Sequence, residues 1–469
     1  MLTKIARWWW GDFQEGELKK FGLLSLIFGL VIGVYWFLRP LKDSIFQAVV
    51  GVDYIPRAKM LSLVVVFPLV LIYSKLVDMF PRQQMFYALC TIYGVLAIVF
   101  AFLMNHSTVG LSAGARPDNL WGWAWYVYVE SFGSLIVALF WAFTADTTQP
   151  DSAERGYPVV AFGGQLGNIF GPLALYFIMH NFAHFEMTPE GELPVGAAAH
   201  SALIHSGAVA GAAIVMGLIM LLVKIFMTSI PKEQLVGYHG KGEKKHDSEP
   251  GFFEGLRLIF SSGYLLAIFA IISFYEVIVT VLDFNFKTLA TAQFPVQHEL
   301  TKYLAAYGSW VGVVSMLSIA LGINKIQRVL GLGASLALLP ILVAVAVLTF
   351  KAYPIVSVLF WIMVFSKAVN YALNQPSMKQ LYIPTTKDAK YKSQAFIEMY
   401  GSRGSKALGS SVNLWRKTFI EKYGAIAGLD QFIMMCTFAS LGIIAFWIPI
   451  TIYLGRTFKK AVDAKSVVV

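Results

Sequence analysis

The chain has 469 residues, of which 57% are hydrophobic and 14% are charged. A mean hydropathy of +0.64 leaves too few polar residues to cover soluble domains of this length, so an ordinary soluble fold is excluded and lipid must cover much of the surface. The net charge of +10 does not indicate nucleic-acid binding, because no basic stretch forms an independent soluble module.

Apolar runs near the bilayer-spanning length of about 20 residues recur along the whole chain. The first six predicted spans cover 21–38, 60–77, 84–104, 121–145, 157–179 and 202–227. After a polar stretch at 231–250, six more cover 264–286, 303–322, 329–350, 354–375, 395–418 and 431–454. The sequence therefore predicts an all-α integral membrane protein of twelve transmembrane helices in two pseudo-symmetric halves of six.

Lysine and arginine in short loops are retained on the cytoplasmic side of a membrane, which predicts the orientation of the chain. With both termini cytoplasmic, most basic loops fall inside, while Arg57 and Lys59 count against this orientation. The inside positions are Lys75, Arg82, Arg155, 224–245, Lys325, Arg328, 387–392 and 456–465. The predicted organisation is an interfacial segment 1–20, a first half 21–228, a cytoplasmic linker 229–260, a second half 261–456 and a tail 457–469.

Small residues recur at the same place in both halves. Gly163, Gly167 and Gly171 in the fifth span correspond to Gly401, Ser405 and Gly409 in the eleventh, and such ladders let two helices approach closely. The short charged loop after the second span, with Asp78 and Arg82, looks like the cytoplasmic gate loop of the major facilitator superfamily. Two similar halves and a gate loop are typical of a transporter that works by alternating access.

Many ionisable side chains lie inside the predicted spans, where each costs several kcal/mol unless it faces a cavity or a partner. Some could simply pair with each other, such as Glu130 with Lys367 across the halves. The basic groups exceed what nearby acids need, which predicts a site for a polyanion such as a phosphate ester. Its predicted phosphate ligands are Arg39, Lys42, Lys287, Lys367, Lys379, Arg403 and Lys406.

Other polar residues in the spans fit a solute larger than phosphate. The amides predicted to read a base or a ribose are Gln165, Asn168, Asn370 and Asn374. The carboxylates of Glu130, Glu276 and Asp283 are interpreted as gating or proton-coupling groups. We expect no cofactor and no metal, since Cys90 and Cys436 both lie in predicted spans and form no metal-binding motif.

Three motifs resemble one known family. YWFLRPLKDSIF at 35–46, YVESFGSLIVALFWAF at 128–143 and QPSMKQLYIP at 375–384 are similar to the nucleotide transporters of obligate intracellular bacteria and plastids, the bacterial and plastid-type ADP/ATP translocases. The resemblance covers roughly 18–454. It implies twelve spans in a major-facilitator-like arrangement and movement of nucleotides across a bacterial inner membrane without hydrolysis.

Four charged positions of the ATP/ADP exchangers can be compared with this sequence. The resemblance places two of them at Lys42 and Glu130, and a third, normally glutamate, at Asp283. The fourth is a lysine in the exchangers, but this chain has Met378 there and Lys379 one residue later. A one-residue shift turns a helical side chain by about 100°, so Lys379 does not simply replace it, and importers of other nucleoside triphosphates stay open.

The leading prediction is a secondary-active nucleotide transporter that moves ATP, ADP or other nucleoside triphosphates by exchange or proton symport, acting as a monomer. The alternative in the same class is a major-facilitator carrier for another organic phosphate or NAD. A membrane enzyme has no support from HExxH, GxSxG or a true Walker A motif. A metal site would have to use the histidines around the loop between the fifth and sixth spans, namely His180, His184, His200 and His205.

Overall fold

The structure is a computed structural model. It describes residues 16–183, 194, 196–235, 252–321, 324–386 and 393–468. Within these ranges the chain forms helices and no β-strand. The α-helices are α1 Glu17–Val49, α2 Ile55–Met79, α3 Arg82–Met104, α4 Leu120–Asp146, α5 Pro150–Phe182, α6 Ala197–Ser229, α7 Phe252–Ser261, α8 Gly263–Gln293, α9 Gln297–Ala320, α10 Asn324–Ala352, α11 Val356–Val369, α12 Gln375–Gln380, α13 Gln394–Phe396, α14 Ser402–Tyr423 and α15 Ala425–Asp463.

Two of the junctions between these helices are π-helical. The segment Asn370–Asn374 joins α11 to α12, and Ile397–Gly401 joins α13 to α14. Because Pro376 has no N–H, the carbonyl of Ala372 loses the partner that a regular α-helix would supply, and the helix widens there. Short π segments are frequently found at functional sites.

Eleven of the helical segments in the described ranges are long and apolar enough to cross a membrane, with α11 and α12 counted as one span, Val356–Gln380. The predicted eleventh span, 395–418, is the one that does not qualify. Its helix α14 carries several charged residues, including Arg403, Lys406 and Arg416, which lower its hydropathy. An all-helical membrane protein is confirmed, while the count of twelve stays a prediction.

The chain divides into two compact units. One contains Met1–Val52, Val64–Glu243 and Phe294–Gly312, and the other contains Asp53–Leu63, Lys244–Gln293 and Val313–Val469. The start of α2 therefore belongs with the second unit, and the start of α9 belongs with the first. Both short segments carry polar side chains that bond within their own unit, as described below for the start of α2.

In the first unit, α1 and α5 pack backbone against backbone. A Cβ added at Gly163 would lie 2.2 Å from the carbonyl oxygen of Ser25, and one at Gly167 would lie 2.1 Å from that of Gly29. In the second unit the corresponding ladder of α14 packs on α8, where a Cβ at Gly409 would lie 2.7 Å from the carbonyl oxygen of Val277. Small residues at both places remove the steric barrier to close helix packing.

We expect Gly167→Ala to lower the thermal unfolding midpoint of the purified protein by several degrees, because overpacking a tight contact costs about 1–3 kcal/mol. The matched control is Gly22→Ala in α1, where an added Cβ meets nothing within 4 Å and alanine favours the helix. Differential scanning fluorimetry of both variants makes the comparison. Equal midpoints for the two variants would show that the α1–α5 contact is looser than described.

Candidate functional site

Three lysine ammonium groups converge on one carboxylate in the second unit. Asp283 lies in the middle of α8, and Lys287, one turn later, places its Nζ 2.9 Å from Asp283 Oδ2. Lys59 of α2 lies 3.0 Å from the same oxygen, and Lys367 of α11 lies 3.4 Å from Oδ1. We call these four residues the three-lysine cluster.

The three-lysine cluster is buried. The side chains of Asp283, Lys287 and Lys367 are 9%, 7% and 7% exposed, and that of Lys59 is 16% exposed. Removing charges from water is expensive, and mutual attraction offsets this cost only when opposite charges are close. The four groups carry three positive charges and one negative charge, so their formal sum is +2. Ammonium groups gathered in this way can bind an anion with several oxygens.

The start of α2 is held in the second unit by a second ion pair. Arg416 of α14 donates from Nη1 to Asp53 Oδ1 over 3.1 Å, just before α2 begins. This contact links α14 to the residues just before α2, six positions before Lys59. The approach of Lys59 to Asp283 joins residues that lie far apart in the sequence.

Two amides stand one and two turns beyond Lys367, in the π-helical segment. Asn370 is buried, and Asn374 donates from Nδ2 to its Oδ1 over 2.9 Å. Both residues belong to the predicted base- or ribose-reading set. The structure places them on the helix that supplies one lysine of the cluster.

The first unit contains a second buried cation, Lys42 of α1. Its Nζ donates to Glu130 Oε1 of α4 over 2.5 Å and lies 3.7 Å from Asp43 Oδ1. It also lies 4.4 Å from the centre of the Tyr126 ring, an electrostatically favourable position for a cation. Lys42 is nearly fully buried, whereas the side chain of Glu130 is 28% exposed. The ion pairs described here are Glu130 with Lys42 and Lys367 with Asp283. A pair between Glu130 and Lys367 is one possibility that the sequence leaves open.

Arg39 lies one turn before Lys42 on α1. Its guanidinium group stands over the ring of Trp36, 4.7 Å from the centroid. Guanidinium groups stack on aromatic faces and can still present donors to phosphate or carboxylate oxygens. This geometry is compatible with the predicted phosphate contact.

Two of the predicted basic ligands around α12 and α14, Lys379 and Lys406, lie beside carboxylates other than Asp283. Lys379 pairs with Glu398, and both side chains are about half exposed. Lys406 lies 3.6 Å from Glu276 Oε1 and is 49% exposed, and Ser402 donates to the same carboxylate oxygen over 2.9 Å. Arg403 is half-buried one position after Ser402. Lys379 and Lys406 thus each pair with a carboxylate on another helical segment.

The predicted polar residues of the first unit lie on α5. Gln165 donates from Nε2 to the carbonyl oxygen of Gly312 in α9 over 3.0 Å. Asn168 is buried, and within the described chain its Oδ1 has no hydrogen-bond partner. Gln165 therefore ties two helices together, while the Asn168 side chain has an unused acceptor.

The predicted gate loop is short, because α2 ends at Met79 and α3 begins at Arg82. Arg82 Nε lies 3.1 Å from Asp146 Oδ2 at the end of α4. The side chain of Asp78 lies outside what the structure describes. A charged residue of this loop thus pairs with a neighbouring helix end of its own unit.

Sequence reasoning missed Lys59, which counted only as an exception to the topology. Its position just before the predicted second span, 60–77, made it resemble a loop residue. Because α2 begins at Ile55, Lys59 is instead inside a helix whose hydropathy is high enough to cross the membrane. The rule that a charge inside a span is functional by default would have identified it, had the start of the span been known.

The histidines near the fifth and sixth spans bond to oxygens of the protein. His205 Nδ1 donates to the carbonyl oxygen of Ser201 over 2.7 Å, and its Nε2 lies 2.8 Å from Thr301 Oγ1. His200 Nε2 lies 2.8 Å from the carbonyl oxygen of Phe182. His184 is outside the described residues, and those that are described contain no group of three or more potential metal ligands. These contacts are structural.

Long apolar helices with buried charge clusters define a membrane transporter. The family model for the TLC ATP/ADP transporter matches residues 2–113, 115–360 and 353–458, so the chain belongs to that family. The chain is 23% identical to ADP,ATP carrier protein 4 of Rickettsia bellii, over 98% of this chain and 94% of that protein. It is 24% identical to ADP,ATP carrier protein 1 of Chlamydia muridarum, over 96% and 90%.

Solved structures of transporters share the fold at low sequence identity. A bacterial homologue of the iron transporter ferroportin in an inward-facing state matches with a TM-score of 0.60 and 13% identity, over 94% of this chain and all of that one. A D-xylose–proton symporter matches with a TM-score of 0.60 and 12% identity, over 91% and 97%. These matches confirm the predicted major-facilitator-like fold, and the family confirms a nucleotide transporter, not an enzyme.

Proposed function

We propose that this chain carries a nucleoside phosphate, ATP, ADP or another nucleoside triphosphate, and that the three-lysine cluster holds the phosphate groups. The observation that carries the proposal is the convergence of Lys59, Lys287 and Lys367 on Asp283 at distances of 2.9–3.4 Å. The names of the Rickettsia and Chlamydia relatives support ADP and ATP as the first substrates to test.

The chemistry of the cluster suits reversible binding. Ammonium groups donate charge-assisted hydrogen bonds to phosphate oxygens, and these bonds are roughly twice as strong as neutral ones. Asp283 competes with the phosphate for the same donors, so the substrate is bound less tightly than it would be by three lysines alone. A transporter needs this balance, since it must release the solute after moving it.

Lys42 and Glu130 are proposed to couple transport to the binding of a proton or of a second solute anion. Glu130 is the more exposed partner of the pair, and either a proton on Glu130 or a solute anion at Lys42 would break the ion pair. Exchange follows if a solute anion is required, and proton symport follows if Glu130, Glu276 or Asp283 must be protonated. Within the second unit, the side-chain amides of Asn370 and Asn374 are proposed to contact the rest of the nucleotide. Arg39, Gln165 and Asn168 stay predicted solute contacts of the first unit.

The test is uptake of radiolabelled ATP and ADP into proteoliposomes that contain the purified chain. Competition with unlabelled ATP, ADP, GTP, UTP, CTP and NAD, each with and without a pH gradient, identifies the substrate and the coupling. We expect nucleotides to compete at least about tenfold better than ribose 5-phosphate, because ribose 5-phosphate lacks the base and the additional phosphate groups, and one lost hydrogen bond to a charged group costs about 1.5–3 kcal/mol.

Three results of this uptake assay would contradict the nucleotide proposal. Equal competition by ribose 5-phosphate would replace the proposal with an organic phosphate carrier, and competition by NAD alone would replace it with an NAD carrier. No uptake of any nucleotide, beside a working control transporter, would overturn it.

The same proposal includes the location of the chain and its oligomeric state. We propose that the chain lies in a bacterial inner membrane with both termini cytoplasmic and that it acts as a monomer.

A further inference from the structure

The last helix extends beyond the apolar layer of the membrane. Helix α15 has 39 residues, and none of the 25 residues from 431 to 455 is charged. At 1.5 Å per residue this apolar stretch is about 37 Å long, a little more than the hydrocarbon core of a bilayer. Arg456 is the first charge after it, and a charged side chain at the end of an apolar span is expected at the level of the lipid headgroups.

One face of α15 combines apolar and basic groups at this level. A depression of about 530 Å³ is lined by Pro449, Ile452, Tyr453, Arg456, Thr457 and Lys460. These positions are three or four residues apart and therefore form one continuous stripe on the helix. We call this stripe the basic groove.

The two ends of the basic groove differ in chemistry. Ile452 and Tyr453 are 42% and 46% exposed and extend toward the apolar layer, where tyrosine is common at the membrane interface. Arg456 and Lys460 are exposed, and no ion pair is found for either of them in the described part of the chain. The opposite face of the helix is packed, since a Cβ added at Gly455 would lie 2.5 Å from Gly333 Cα of α10.

We propose that the basic groove binds an anionic phospholipid such as phosphatidylglycerol. Arg456 and Lys460 contact the phosphodiester, with the guanidinium fork on two of its oxygens. The hydroxyl groups of Thr457 and Tyr453 are within the same groove to meet the glycerol, and an acyl chain lies along Ile452 and Pro449. Basic residues beside a membrane contribute attraction to anionic lipid that zwitterionic lipid does not share.

The experiment measures thermal unfolding of the purified full chain in detergent, with added dioleoylphosphatidylglycerol or dioleoylphosphatidylcholine. Native mass spectrometry counts the lipids retained by each variant. We expect phosphatidylglycerol alone to raise the unfolding midpoint. Arg456→Gln/Lys460→Gln removes two basic contacts and should raise the phosphatidylglycerol concentration that gives half of the maximal stabilisation about 30-fold. This variant should also retain one fewer phosphatidylglycerol per chain.

The matched control is Lys417→Gln/Lys422→Gln, which removes two exposed charges near the end of α14 and should leave lipid protection unchanged. Arg456→Lys/Lys460→Arg keeps both charges in the groove and should keep the protection. Equal protection by phosphatidylcholine or by inorganic phosphate, or unchanged lipid retention by the glutamine pair, would overturn the proposal. If the glutamine pair does not fold, the lipid comparison on the unaltered chain decides alone.

Discussion

Lys367→Ala reduces nucleotide uptake by about 10- to 100-fold, if the three-lysine cluster holds the phosphates. A hydrogen bond to a charged group contributes about 1.5–3 kcal/mol, and 1.4 kcal/mol corresponds to a tenfold change. Lys367 is the most informative lysine to remove, because Asp283 keeps Lys287 at 2.9 Å and Lys59 at 3.0 Å. The carboxylate therefore stays paired and the helices keep their packing.

The measurement is the initial rate of labelled ATP uptake, normalised to the amount of folded protein in the liposomes. The control is Lys351→Ala, which removes a lysine from an ion pair with Asp430 whose side chains are 30% and 67% exposed. An exposed pair contributes little to stability, so this variant should transport normally. Normal uptake by Lys367→Ala would remove Lys367 from the phosphate site.

Lys42→Ala is expected to abolish uptake and also to lower the thermal midpoint. Breaking a buried ion pair by removing one partner costs about 3–5 kcal/mol, because it leaves an uncompensated charge. In this chain the charges left behind are Glu130, 2.5 Å from the missing ammonium, and Asp43, at 3.7 Å. The expected loss of stability must therefore be separated from the loss of transport.

The double variant Lys42→Ala/Glu130→Gln separates them. Neutralising Glu130 removes the nearer of the two stranded charges, so the thermal midpoint should recover part of the loss while uptake stays absent. Two residues in contact are expected to couple by about 0.5–3 kcal/mol in such a cycle. Recovery of transport together with stability would mean that Lys42 is only a structural partner of Glu130.

Charges inside long apolar runs could be located from the sequence, and their pairings could not. Glu130 and Asp283 stand inside predicted spans, and Lys42 follows closely on the first one. Burial of a charge there is costly, so its position is informative. Their partners depend on contacts between distant segments, such as Lys59 with Asp283, which are 224 residues apart. A single sequence carries no record of that proximity.

The contacts of side chains around the tenth and eleventh spans could not be placed from the sequence. Lys379 and Lys406 stay predicted phosphate ligands, and in the structure they pair with Glu398 and Glu276 on partly exposed surfaces. The π-helical segments change the angle between successive side chains, so a regular 3.6-residue period places them wrongly. Proline at position 376 was visible in the sequence, but the wide turn that it produces was not.

The backbone contact between α1 and α5 sets how far those helices can separate. The carbonyl of Gly29 and the glycine at 167 leave no room for a lipid tail or a side chain between the helices. Arg39 and Lys42 on α1 must consequently travel together with Gln165 and Asn168 on α5. The distance between spin labels attached to the lipid-facing sides of these two helices should therefore stay the same when nucleotide is added.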